Sequence, residues 1–135
     1  MNYLDANIFI YAATNDDEKG DISRDILYKV ANNKLDACTS FLTWDEVVNI
    51  IRRLKNIEIA SMEGRKFLHF PRLMLIRVDE KIMALAQNLI SKYNIKPRDA
   101  IHSATAILHG DKKIISDDSD FDKINEIKRI KVGKS

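Results

Sequence analysis

The chain has 135 residues, 45% hydrophobic and 31% charged, with a net charge of +2. That length suits one domain, residues 1–135, able to bury about two-thirds of its unfolded surface. The composition excludes a disordered or fibrous chain, and no apolar stretch approaches the ~20 residues that span a bilayer.

Met1 to Leu4 reads as a short apolar strand ending in Asp5, and a helix from about Asn7 to Ala13 follows. The opening MNYLDANIFIYAA carries no basic segment before its apolar residues. It does not read as a signal peptide, and a cytoplasmic location is expected. Residues 14–20, TNDDEKG, predict a loop. Asp21 is placed to cap a helix whose Ile22, Ile26, Leu27 and Val30 share one face. A strand at about Leu35 to Thr39 comes next. The single Cys38 lies in it, can form no internal disulfide, and reads as an inert, buried, reduced thiol. Ser40 then caps a helix to about Lys55, with Val47, Ile50, Ile51 and Leu54 on one stripe.

Residues 58–69 predict a further helix, ending before Pro71. Leu73 to Val78 is a continuous apolar run, the pattern of a strand buried on both faces. Asp79 caps a helix that carries Ile82, Leu85, Ala86, Leu89, Ile90 and Tyr93 at helical spacing. Pro97 opens a helix that runs to His109 and stops at Gly110. Lys113 to Ser116 predicts a strand, Ser119 to Ile124 a short helix, and Ile127 to Val132 a half-exposed last strand. This alternation predicts an α/β domain with a parallel sheet and helices on both faces. Ligand sites in such sheets lie beyond the carboxyl ends of the strands, where strand order reverses.

Acidic residues fall where that rule points. Asp5 follows strand 1, Glu46 sits on the helix after strand 2, Asp99 lies in the first turn after Pro97, and Asp117, Asp118 and Asp120 follow strand 4. Taken singly, each has an ordinary explanation as a turn, cap or helix-dipole residue, and Asp120 reads as a helix cap. Taken together they would repel, by roughly 4 kcal/mol for a pair ~4 Å apart at an effective dielectric near 20. A compensating cation is then needed, and an all-oxygen donor set selects Mg²⁺ or Mn²⁺. Such an ion can activate water for phosphodiester hydrolysis. With these acids neutralised, the rest of the surface would be more basic than +2 suggests, as a polyanionic partner requires. The same repulsion predicts that Asp5→Asn raises the metal-free melting temperature.

At these residues the chain resembles the PIN-domain family, and within it the VapC-type toxin ribonucleases. YLDANIFIYA resembles the family's first block, SFLTWDEVVNIIRRL the second, and KPRDAIHSATAILHGDKKIISDDSDFDKI the third and fourth. The resemblance implies a three-layer α/β/α fold with a five-stranded parallel sheet. It implies that Asp5, Glu46, Asp99 and Asp118 are catalytic and hold one or two Mg²⁺ or Mn²⁺ ions. It places Asn7, Ser40 and Ser116 in support of them and Asp117 at a variable position. It also implies endonucleolytic cleavage of RNA to 5′-phosphate and 3′-hydroxyl ends, a homodimer, and a small antitoxin partner. Asn7 stands where an Asp-x-Asp phosphatase would carry its second acid, which weakens that alternative. A receiver domain is weakened too, because Asp79 is explained as a cap. The remaining alternative is a non-catalytic PIN module that binds RNA or a protein.

Lys96 and Arg98 are the preferred phosphate contacts, followed by Arg52 and Arg53 on the Glu46 helix. His102, three residues after Asp99, reads as packing or support rather than as a ligand, and His69 and His109 read as structural. Trp44 suits base stacking, a dimer contact or core packing.

Overall fold

Tyr3 and Leu4 are adjacent in β1 (Asn2–Leu4), and each is fully buried, yet they belong to different cores. Successive strand residues point to opposite faces, and the same split recurs at Ala37 and Cys38 of β2 (Ala37–Ser40) and at Ile114 and Ile115 of β4 (Lys113–Ile115). The sheet is therefore covered on both sides. One core is closed by α1 (Ala6–Thr14), α2 (Glu18–Ala31), α3 (Leu42–Leu54) and α4 (Ile57–Leu68). The other is closed by α5 (Glu80–Lys92) and α6 (Pro97–His109). With β3 (Leu73–Ile76) and β5 (Lys128–Ile130) added, the five strands pair in parallel in the order β3-β2-β1-β4-β5. This computed structural model describes residues 1–133. The three-layer α/β/α architecture with a five-stranded parallel sheet is the one expected.

Four local expectations change. β3 is not buried on both faces: it lies at the sheet edge, and Met74 is 50% exposed. An unbroken apolar run identifies the strand but not its place in the sheet. The cap of α2 is Asp17, whose carboxylate accepts the Gly20 N–H at 3.0 Å, and Asp21 lies inside the first turn. The stretch Glu18 to Gly20 is thus a helical start rather than loop, with Glu18 and Lys19 exposed and Gly20 buried. Ser40 stands one residue ahead of the α3 cap position, and its Oγ accepts the Leu42 N–H at 3.0 Å. In the last strand, Ile127 and Val132 are buried, but Ile130 faces out and Arg129 takes the inward place. Its side chain is only 7% exposed because it grips both Asp122 oxygens at 2.9 Å and the Ser116 carbonyl at 3.1 Å.

Gly20 is fixed by space. A Cβ there would sit 2.1 Å from the Asn15 carbonyl oxygen, which is backbone and cannot swing aside. Gly20→Ala is expected to destabilise the fold by about 2 kcal/mol, as overpacking at a rigid contact does. Urea unfolding would show it as a lower midpoint at an unchanged slope.

Candidate active site

The chain runs outward from β1 through β2 to β3, then crosses back to place β4 and β5 on the other side of β1. The crevice at this reversal lies between the ends of β1 and β4, where the Asp5 N–H donates to the Ile115 carbonyl at 3.1 Å. Asp5 ends β1 and caps α1. Its Oδ1 accepts the Ala6 N–H at 2.8 Å, and its Oδ2 accepts from Ser116 Oγ at 2.6 Å and Asn7 Nδ2 at 3.2 Å. Both oxygens are held, and the residue is 6% exposed. Ser116 Oγ accepts in turn from Asn7 Nδ2 at 3.2 Å and from the Asp118 N–H at 3.0 Å. One buried hydroxyl thereby links the first acid to the last.

Glu46 stands in the second turn of α3, where β2 and the Ser40 turn aim it into the crevice. Pro97 opens α6, which presents Asp99 in its first turn and His102 one turn later. Residues three apart on a helix are neighbours on its surface. Asp5, Glu46 and His102 bring donor atoms within 4.8 Å of one another, and Asp99, Asp118 and Asp120 form a second such group.

The two groups feel each other. Burial pushes Asp99 up to about 6, Asp118 adds to the rise, and Asp5 adds again against the opposing pull of His102. Burial also pushes Asp5 up; His102 and the Ser116 and Ala6 hydrogen bonds pull the other way, and Glu46 contributes to the rise. Burial resists a charged ring at His102, but Tyr3 and Glu46 outweigh it and hold its pKa well above the ordinary range. The carboxylates thus crowd one another, and the donor set open to a cation is all oxygen, because both nitrogens of His102 are already hydrogen-bonded. This chemistry fits a hard divalent ion such as Mg²⁺ or Mn²⁺.

Asp5, Asn7, Glu46, Asp99, Ser116 and Asp118 are brought to this crevice, while Ser40 ends β2, one residue ahead of the α3 cap position. Asp120 does not act as the cap: Asp118 does, accepting the Asp120 N–H at 2.9 Å, which leaves the Asp120 carboxylate beside Asp99 and Asp118. Asp117 turns away to accept from Tyr11 Oη at 2.8 Å and Lys19 Nζ at 2.6 Å. Among the cations, Lys96 is exposed and close enough to Asp99 to pull its pKa down. Arg98 instead pairs with Asp45 at 2.8 Å, joining α6 to α3. Arg52 and Arg53 are exposed in the last turn of α3, roughly 10 Å along the axis from Glu46. Trp44 lies over Gly64 of α4, so packing between α3 and α4 is part of its role. His69 and His109 sit at helix ends. Sequence reasoning missed Tyr3, whose hydroxyl meets His102. The available signal was a phenol inside a buried strand, which needs a polar partner.

The PIN domain profile matches residues 3–127. The chain belongs to the PIN domain family. The fold is also that of solved VapC-type toxins. VapBC2 of Rickettsia felis, solved bound to a promoter DNA fragment, superposes with a TM-score of 0.75 at 20% identity, covering 97% of this chain and 98% of that one. Mycobacterium tuberculosis VapC20, a toxin that cleaves the sarcin–ricin loop, gives 0.76 at 12% identity, covering 93% and 95%. VapBC-1 of nontypeable Haemophilus influenzae gives 0.70 at 19% identity, covering 99% and 100%. No curated protein sequence matches the chain. No helix among the described residues is long and apolar enough to cross a membrane.

Proposed function

We propose that this PIN domain is a Mg²⁺- or Mn²⁺-dependent endoribonuclease, and the toxin of a type II toxin–antitoxin pair. The observation that carries the reading is the pair of acidic groups at the strand-order crevice, Asp5 and Glu46 in one and Asp99, Asp118 and Asp120 in the other, with Asp118 and Asp5 adding to the burial that raises Asp99. Asp5, Glu46, Asp99 and Asp118 would hold one or two ions. When bound, the ion supplies a lowered pKa for an attacking water and charge stabilisation at the phosphate. The chain's own part is to fix the acids: Ser116 and Asn7 orient Asp5, and the Ser116 hydroxyl also holds the loop that carries Asp118. Lys96, exposed beside Asp99, is placed to meet a phosphate, with Arg52 and Arg53 further along α3. The Ser116 hydroxyl, which donates to Asp5 and accepts from Asn7 and the Asp118 N–H, is engaged in holding the acids, and no covalent step is proposed. Likeness in fold to VapBC complexes along nearly the whole chain supports an antitoxin partner; a homodimer is part of the proposal.

The test is cleavage of structured RNA by purified protein, with Mg²⁺ or Mn²⁺, with EDTA, and with Asp99→Asn. Cleavage that needs the metal and is lost in the variant is the expected result. Cleavage that survives both would sink this mechanism. Absence of cleavage across varied RNAs, with metal still bound, would favour a binding-only module.

A further inference from the structure

Beneath the acids lies a buried polar chain that the nuclease reading leaves without a task. His102 is 1% exposed, and its two ring nitrogens reach different elements. Nε2 is hydrogen-bonded to Glu46 Oε1, and Nδ1 lies 2.5 Å from Tyr3 Oη. Tyr3 Oη also accepts the Ser40 N–H at 3.3 Å. The chain thus runs from the end of β2, through the middle of β1, to α6 and up to α3. We propose that His102 is the positioning residue for Glu46, held in its orientation by Tyr3, so that one Glu46 oxygen is fixed and the other is presented to the crevice.

Proton bookkeeping supports this. Tyr3 Oη already accepts from Ser40 and has one proton to give. A neutral ring with a bare Nδ1 takes that proton and must carry its own on Nε2; a charged ring carries protons on both. The other neutral tautomer would set a bare Nε2 against a carboxylate oxygen, lone pair to lone pair. In each acceptable state, Nε2–H donates to Glu46 Oε1. Both His102 nitrogens are therefore engaged and neither is free for a metal, although its donor atom lies within 4.8 Å of those of Asp5 and Glu46. Glu46 Oε2 makes no hydrogen bond to the described residues. Glutamate has three side-chain torsions, and anchoring one oxygen removes most of that freedom before substrate arrives. The spacing of Asp99 and His102 lets α6 deliver an acid and the support of a second acid from adjacent positions.

This inference rests on the proposed nuclease reading, and two arms separate the two. In the activity arm, His102→Gln keeps an amide N–H near the Nε2 position, while His102→Asn reaches only the Nδ1 side. Outer-shell partners of this kind contribute about 10- to 100-fold. The expected result is at least about a tenfold fall in kcat for His102→Asn with little change in the KM for RNA, and rescue to within about threefold by His102→Gln. Equal loss in both variants, or wild-type kcat in His102→Asn, would overturn the proposal. The second arm uses metal-free protein and no substrate. Long-range ¹H–¹⁵N correlation spectra of the histidine rings should show Nε2 protonated in His102, and Glu46→Gln should move those signals while leaving His69 and His109 in place. Unmoved His102 signals would also overturn it. An inactive wild-type protein that shows the spectroscopic coupling would remove the nuclease reading and leave the orientation of Glu46 by His102 standing.

Discussion

Asp118→Asn is expected to lower RNA cleavage by at least about a hundredfold, while Asp117→Asn, one residue earlier, leaves it within about threefold. The two carboxylates, both just after β4, make different contacts. Asp118 shares the crevice with Asp99 and Asp120, and adds to the charge that raises Asp99. Asp117 is spent on Tyr11 and Lys19, which hold its pKa low against the opposing effect of burial. Losing that partly exposed ion pair should cost under about 1 kcal/mol of stability. Asp120→Asn belongs between them, with metal affinity down about tenfold, because its carboxylate is in the cluster but also lies 3.6 Å from Lys123 Nζ. Initial rates on one cleavable RNA at saturating Mn²⁺, with Mn²⁺ titrations of each variant, would rank the three. An Asp117→Asn loss as large as that of Asp118→Asn would mean that the site is centred elsewhere.

The fold was legible where a local pattern reports a global fact. Apolar spacing marks the helices, and strand–helix alternation dictates a parallel sheet with two covered faces. It was not legible where two arrangements share one pattern. Leu73 to Ile76 reads the same at the edge or the centre of a sheet, and only pairing with β2 alone decides it. At the start of α2, Asp17 and Asp21 are both competent caps. The choice follows from Gly20, which can approach the Asn15 carbonyl where a side chain cannot.

The acids were legible because Asp5 and Asp118 follow strands, Asp99 opens a helix and Glu46 lies in the second turn of the helix after β2, and topology brings such positions together. Their support was not. His102 and Tyr3 are 99 positions apart in sequence, and no spacing rule joins a strand residue to a helix residue over that distance. Asp118 and Asp120 exchange roles for a different reason. An Asx turn can be closed from either residue, and the Ser116 hydroxyl selects Asp118 by accepting its N–H.

Asp99→Asn should raise the melting temperature of the metal-free protein at pH 7.5 and lower it, relative to wild type, once Mg²⁺ saturates the site. Carboxylate repulsion makes Asp5 an equally obvious choice, but the structure separates the two. Asp5 accepts three hydrogen bonds, so an amide there would set an N–H₂ against a donor. Asp99 makes no such bonds to the described residues and carries a pKa pushed up to about 6 from 3.8. A carboxyl whose folded pKa is raised destabilises the fold only when ionised. Its cost is absent below about 3.8, grows as pH rises through the window to about 6, and is complete above it. Removing the charge should therefore stabilise the apo protein above that window, by about 1–2 kcal/mol after allowance for solvent screening, or roughly 3–8 °C. The advantage should vanish near pH 4. Mg²⁺ reverses the order because ligand binding stabilises wild type by RT ln(1 + [L]/Kd), and the variant has lost a donor. Scanning calorimetry in EDTA and in Mg²⁺, at both pH values, reads all four corners of this cycle. A variant that melts below wild type in EDTA at pH 7.5 would show that Asp99 is not crowded. Without that crowding, the main physical reason for a cation in the crevice disappears.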